Sequence, residues 1–184
     1  YLIVGPWIHG QQGQSSHGQV SFGAAAAIPD PLAWRREWYD HWLKGVDNSV
    51  GKAEPFRTKV RIFVMGSGDG SKDADGKLVH GGFWRDEHQW PLARTHATNY
   101  YLWPNGGLRD QPPARDAGTT SLQFDPRRPV PTIGGNISSN NDIMLQGAWD
   151  QRGGPHIWNG QEPLPLSARN DVLVFQSEPL SADI

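Results

Sequence analysis

The chain has seven histidines and no cysteine. A thiol nucleophile, a disulfide framework and a Cys-ligated zinc site are therefore excluded, and the histidines carry most of the available chemistry. His9 stands out by position. It follows Tyr1-Leu2-Ile3-Val4, an apolar run ended at once by Gly5-Pro6, which is the pattern of a parallel strand buried on both faces. Open α/β sheets place ligand sites at the carboxyl ends of such strands. An imidazole with an ordinary pKa of about 6.5 takes and returns a proton near neutrality, so a histidine there has the chemistry of a general base. Position alone favours an ordinary structural histidine over a catalytic one. His17 lies in the Gly/Ser-rich stretch that follows; it either faces the same cleft or is solvated, and a solvated loop histidine is the expectation. His80, His88 and His96 are evenly spaced but belong to no H-E-x-x-H or comparable ligand pattern. Asp69, Asp73, Asp75 and Gly76 resemble a calcium loop in composition only, because Ser71 falls at the first ligand position and Gly82 at the bidentate twelfth. A polar hairpin loop is expected there. Asn136-Ile137-Ser138 is a glycosylation sequon, meaningful only in a eukaryotic secretory pathway.

Each of these side chains needs an element to hold it. After the first strand come a polar, Gly-rich loop over 10–23 and four alanines. Asp30-Pro31 then has the signature of a helix start, Asp at the N-cap and Pro at the first helical position, and Gly45 stands where a C-terminal glycine belongs. Leu32, Arg35, Tyr39 and Trp42 share one stripe of that helix with Trp38 and Leu43 beside it, an aromatic face predicted to pack as core against a sheet. Residues 46–57 read as a linker. From Thr58 the texture changes: Val60, Ile62 and Val64 alternate with Arg61 and Phe63, and strand-like runs follow at 82–84, 99–103, 119–124, 143–145 and 171–175. Turn signals separate them, among them Pro104-Asn105-Gly106-Gly107 and Gly134-Gly135. The 22 glycines and 15 prolines exceed the average usage of about 12% for the two together, again favouring short strands. The fold expected is mainly β, a jelly-roll β-sandwich preceded by an α/β end, with the boundary near residue 55. Because the chain opens inside an apolar run and closes soon after a strand pattern, we read it as an internal piece of a longer protein.

The segment Gly5-Pro6-Trp7-Ile8-His9-Gly10 resembles the catalytic-histidine segment of the α/β-hydrolase family that holds cocaine esterase, the α-amino-acid ester hydrolases, the glutaryl cephalosporanic acid acylases and the X-Pro dipeptidyl-peptidases. The likeness continues in order along the chain. Trp38-Tyr39-Asp40-His41-Trp42-Leu43-Lys44-Gly45 resembles the last helix of the family's hydrolase domain. Val64-Met65-Gly66, Trp84-Arg85, Trp90-Pro91, Tyr100-Tyr101-Leu102, Phe124-Asp125-Pro126, the run 129–135, Asp150-Gln151-Arg152 and the run 169–175 resemble its C-terminal β-domain. Any one motif is weak; their collinear order is not. The resemblance implies a serine hydrolase acting on ester or amide acyl bonds of a small-molecule substrate, with no cofactor. It implies residues 1–55 as the C-terminal end of an α/β-hydrolase catalytic domain and 56–184 as a jelly-roll β-sandwich truncated at its C-terminus. The triad runs Ser, Asp, His along such chains, so His9 takes the place of its histidine, with the other two members upstream of residue 1. No G-x-S-x-G elbow occurs in the sequence; Gly13-Gln14-Ser15-Ser16-His17 comes nearest and lacks the closing glycine. Esterase or acylase chemistry is favoured over X-Pro dipeptidyl-peptidase chemistry by the Gly-rich loop after His9.

A rival reading comes from another class. Trp84, Trp90, Trp103, Trp149 and Trp158 fall in the β-region, where exposed aromatic rings would stack on sugars and make the domain a carbohydrate-binding module. The alternative is that these rings pack the sandwich and its faces, since large aromatics dominate core and interface burial. Other partners find little support. Basic residues cluster only in the pairs Arg35-Arg36 and Arg127-Arg128 at a net charge of −2, which argues against nucleic acid. No apolar run reaches the ~18 residues of a membrane span. Homo-oligomerisation and cellular compartment stay open.

Overall fold

The computed structural model describes residues 1–137, 145–152 and 164–181. The expected strand at 143–145 and Trp158 lie largely or wholly outside them. The described residues are β-rich with one α-helix, and they divide into two compact units, Tyr1–Thr95 with Thr132–Asp150, and His96–Pro131 with Gln151–Ile184.

The first unit contains two small sheets. In one, β1 (Leu2–Val4), β4 (Val60–Met65) and β6 (Gly82–Glu87) lie in that order. β1 runs parallel to β4 with Leu2 opposite Val60, and β4 pairs antiparallel with β6 from Val60–Glu87 to Met65–Gly82. The strand expected at the start of the chain and the one expected from Thr58 are thus present, and they share a sheet across the position where the sequence texture changes. On β4 both faces are partly covered: Val60 and Phe63 are buried, and Arg61 bonds Asp86 directly across the ladder at 3.3 Å and Glu54 at 2.9 Å. The other sheet joins β2 (Ser16–His17), β3 (Val20–Ser21) and β5 (Leu78–Val79), β2–β3 antiparallel and β3–β5 parallel. Between the sheets sits a core of Phe22, Ala26 and Phe63, with Val20 and Trp84 against it.

Helix α1 (Pro31–Lys44) has the ends read from the sequence. Asp30 accepts hydrogen bonds from the amides of Leu32 (3.1 Å) and Ala33 (2.9 Å), and Gly45 closes the helix in the left-handed region with φ 71°. Its packing departs from expectation. Trp34 and Trp38 meet Tyr1 and Phe56 at ring-centroid distances of 5.1–6.2 Å, but no residue of the helix is buried, and Leu32, Tyr39, Trp42 and Leu43 are all exposed. Of the stripe assigned to core on its spacing, only Trp38 is half-buried in this chain, against Tyr1 and Phe56, because the described residues bring no other large side chain over it.

The second unit is held mostly by turns. β7 (Tyr101–Leu102) and β8 (Leu108–Arg109) form a short hairpin around the Pro104–Gly107 turn, and Gln176 extends it by bonding through its amide to the Gly106 carbonyl and through its carbonyl to the Leu108 amide. A 3₁₀ turn covers Leu166–Ala168, followed by an ion pair of Arg169 with Asp171, joined at 2.6 Å and 2.7 Å. The runs 119–124 and 171–175, expected as strands, are not strands. Their alternation supplies a period, but their backbone groups find no ladder partner among the described residues.

Candidate active site

The residues from Gly5 to Gly23 leave β1, pass His9 and return as the β2–β3 hairpin. This stretch reads as an open loop in sequence, and the structure ties it down at many points. The Trp7 indole N–H donates to the Ala26 carbonyl at 2.6 Å, and its ring lies 5.5 Å from Trp84, whose own N–H bonds the neighbouring Ala25 carbonyl at 2.7 Å. Two residues on, the His9 amide donates to the Asn136 carbonyl at 3.0 Å. Turns follow through Gln11 N to Ile8 O and Gln14 N to Gln11 O, both at 3.2 Å, and the Ile28 amide returns to Gln12 O at 2.8 Å. The backbone of His9 is therefore fixed on both sides while its imidazole is exposed to solvent, with no hydrogen-bond partner among the described residues.

His17 contradicts the expectation of a solvated loop residue. It is 3% exposed, its ring 6.5 Å from Phe22, and neither ring nitrogen has a hydrogen-bond partner. Burial, together with the nearby Lys77 ammonium, holds its pKa below the ordinary 6.5. His80 stacks on the other side of the same core, 5.5 Å from Phe22, while His88 and His96 lie on the exposed surface. The three evenly spaced histidines do not converge. In the 66–77 loop the carboxylates cap their own turns: Asp69 accepts from the Ser71 amide at 2.8 Å, and Asp73 from the amides of Asp75 and Lys77 at 3.0 and 2.9 Å. This is the polar hairpin loop read from the sequence. Asn136 of the sequon contributes its backbone carbonyl to His9, and Ser138 lies outside the described residues.

The tryptophans divide. Trp84, Trp103 and Trp149 spend their indole N–H groups on backbone carbonyls of Ala25, Gln111 and Gln146 at 2.7, 2.9 and 2.7 Å, and guanidinium groups cover Trp84 (Arg61, 5.3 Å) and Trp103 (Arg109, 4.1 Å). Only Trp90 of the described members of this set is largely exposed. An open apolar cleft of about 310 Å³ lies between β1 and α1, lined by Ile3, Trp7, Ile28, Trp34, Trp38 and Phe56 among others, and His9 is not in its wall. The feature that sequence reasoning missed is the partner of the His9 loop, residues 132–137 and 145–150. Its trace in the sequence is the glycines at 134 and 135, read there only as a turn signal, and Gly147, which the sequence reading passed over.

With this arrangement in view, the chain can be placed. Residues 51–184 match the model of the X-Pro dipeptidyl-peptidase C-terminal non-catalytic domain, and the chain belongs to that family. Over 98% of its length it is also 28% identical to cocaine esterase of Rhodococcus sp. (strain MB1 Bresler), of which it spans 27%. The family expected from the ordered motifs is the one found.

Proposed function

We propose that the chain is part of a serine hydrolase cleaving ester or amide acyl bonds through a Ser-Asp-His triad, that His9 is its histidine, and that the serine and aspartate lie upstream of residue 1. The observation that carries this reading is the end-to-end similarity to an esterase, including the segment in which His9 is presented, exposed, from a braced loop after β1. In this role the imidazole takes the proton of the serine hydroxyl as its oxygen attacks the acyl carbonyl. It then delivers that proton to the leaving group, and repeats the cycle with water to release the acid. The upstream aspartate fixes the tautomer and stabilises the imidazolium. Residues 1–55 complete the catalytic domain, and 56–184 form a jelly-roll domain that braces it; the family match from residue 51 onward supports that division. Among substrates we favour small esters and acyl amides over X-Pro peptides, in line with the esterase relative. The carbohydrate-binding reading is the less favoured, since the Arg61 and Arg109 guanidinium groups already lie over the Trp84 and Trp103 rings.

The test is kinetic. In the protein that includes the upstream region, hydrolysis of p-nitrophenyl acyl esters and of an X-Pro p-nitroanilide is compared between wild type and His9→Ala. The substitution lowers kcat by about 10³-fold or more, as triad deletions do. A variant that keeps most of its activity removes His9 from the reaction.

A further inference from the structure

The His9 loop does not stand alone. A second segment, residues 132–137 with 145–150, lies along it, and the two are joined almost wholly through backbone. The Asn136 carbonyl receives the His9 amide at 3.0 Å; the Ala148 amide donates to His17 O at 3.3 Å, and the Gln19 amide to Ala148 O at 2.8 Å. The segment is itself closed by the paired bonds Gly135 N to Gly147 O and Gly147 N to Gly135 O, at 2.9 and 2.8 Å. Two side-chain bonds add to the seam, Gln11 Nε2 to Gln146 Oε1 at 3.3 Å and the Asp150 amide to Gln19 Oε1 at 2.7 Å.

Glycine makes this contact possible. Gly18 and Gly147 face each other with φ of 65° and 99°, in the region that residues with a Cβ rarely adopt. A Cβ on Gly18 would lie 2.9 Å from Ala148 N, and one on Gly147 would lie 2.6 Å from His17 C and closer still to Gly18 N. Any side chain at either position must push the two backbones apart.

We propose that this segment is a strap that positions His9, with Asn136, Gln146 and Gly147 as positioning residues; the inference rests on the reading of His9 as the triad base. Trp7 anchors the loop on the near side of His9, and beyond His9 its backbone is located by what it bonds to. The strap supplies the only bond made by the His9 amide among the described residues and grips the same loop again at 17–19. Its effect on the reaction is orientation. The imidazole must stand within hydrogen-bond reach of both hydroxyl and carboxylate, and misplacement by about 1 Å from a distant change can cost about 10²-fold in rate.

The experiment uses the protein with its upstream region and concentrations corrected by active-site titration. Gly147→Ala and, from the loop side, Gly18→Ala lower kcat about 10- to 100-fold with KM within about twofold, because binding surfaces outside the loop are untouched. The rate of fluorophosphonate labelling falls in step. Gln146→Ala causes a smaller drop of the same kind, and Gln146→Glu restores it, since a carboxylate still accepts the Gln11 amide; this pair decides the matter should the glycine variants not fold. A merely structural strap predicts lower melting temperatures with titrated kcat unchanged, and that result overturns the proposal. Should His9→Ala be as active as wild type, the assignment of His9 as the triad base fails and the strap with it. Full activity in Gly147→Ala beside an inactive His9→Ala defeats the strap alone.

Discussion

The loop from Gly5 to Gly23 and the helix α1 make an instructive pair. One is polar, glycine-rich and irregular in sequence; the other is a capped helix with a broad aromatic stripe. Pattern alone would give the helix to the core and the loop to solvent. In the structure no residue of α1 is buried, whereas the loop ends in the core residue Phe22, buries His17 and is bonded to three other segments. A helix satisfies its own backbone and can stand on the surface. A loop cannot, and each of its peptide groups must find a partner elsewhere or face water. That obligation draws in Ala26, Ile28 and the strap around the loop that displays His9.

If this contrast is right, substitutions should rank accordingly. Phe22→Ala removes the ring between His17, His80 and Phe63 and should cost about 3–5 kcal/mol, as buried Phe truncations do, measured by urea unfolding; a loss below about 1 kcal/mol would return the loop to the status of surface. The pH response of His17 comes next. Its ring is held neutral when folded, with a pKa below the 6.5 it regains on unfolding. As pH falls below about 6.5 the unfolded chain binds the extra proton and stability declines, levelling off only below the folded-state pKa; above 6.5 the contribution is intact. Unfolding midpoints measured from pH 7.5 to 5 should fall, and His17→Phe should flatten the trend. An unchanged slope in that variant would assign the decline to other groups. Asp30→Ala, which removes the cap of α1, should cost about 1 kcal/mol, visible as a lower melting temperature. Smallest of all, Leu43→Ser on the exposed stripe should change stability by less than about 0.5 kcal/mol. A loss comparable to that of Phe22→Ala would show the stripe to be covered.

Much of this was legible in the residues themselves. Asp30, Pro31 and Gly45 mark α1 to the residue because capping is local chemistry. The alternation from Val60 marks β4, and ordered motifs gave the family. β2, β3, β5 and β8 escaped notice because two-residue strands have no period to detect. The runs 119–124 and 171–175 misled for the converse reason: a period specifies a face but not a neighbour. Residue type and position after an apolar strand made His9 a candidate, but only the likeness of residues 5–10 to the family's histidine segment raised it above a structural histidine. The strap could not, since bonds between backbone groups leave no side-chain signature; only the glycines at 18 and 147 hint that two segments touch there.

The central claim is that His9 activates a serine supplied by the upstream region, and labelling with a fluorophosphonate probe tests it most directly. In the protein carrying that region, wild type should be labelled on a serine upstream of residue 1, and His9→Ala should be labelled far more slowly or not at all. A wild-type protein that takes no label, or a His9→Ala variant labelled at the wild-type rate, would contradict the account.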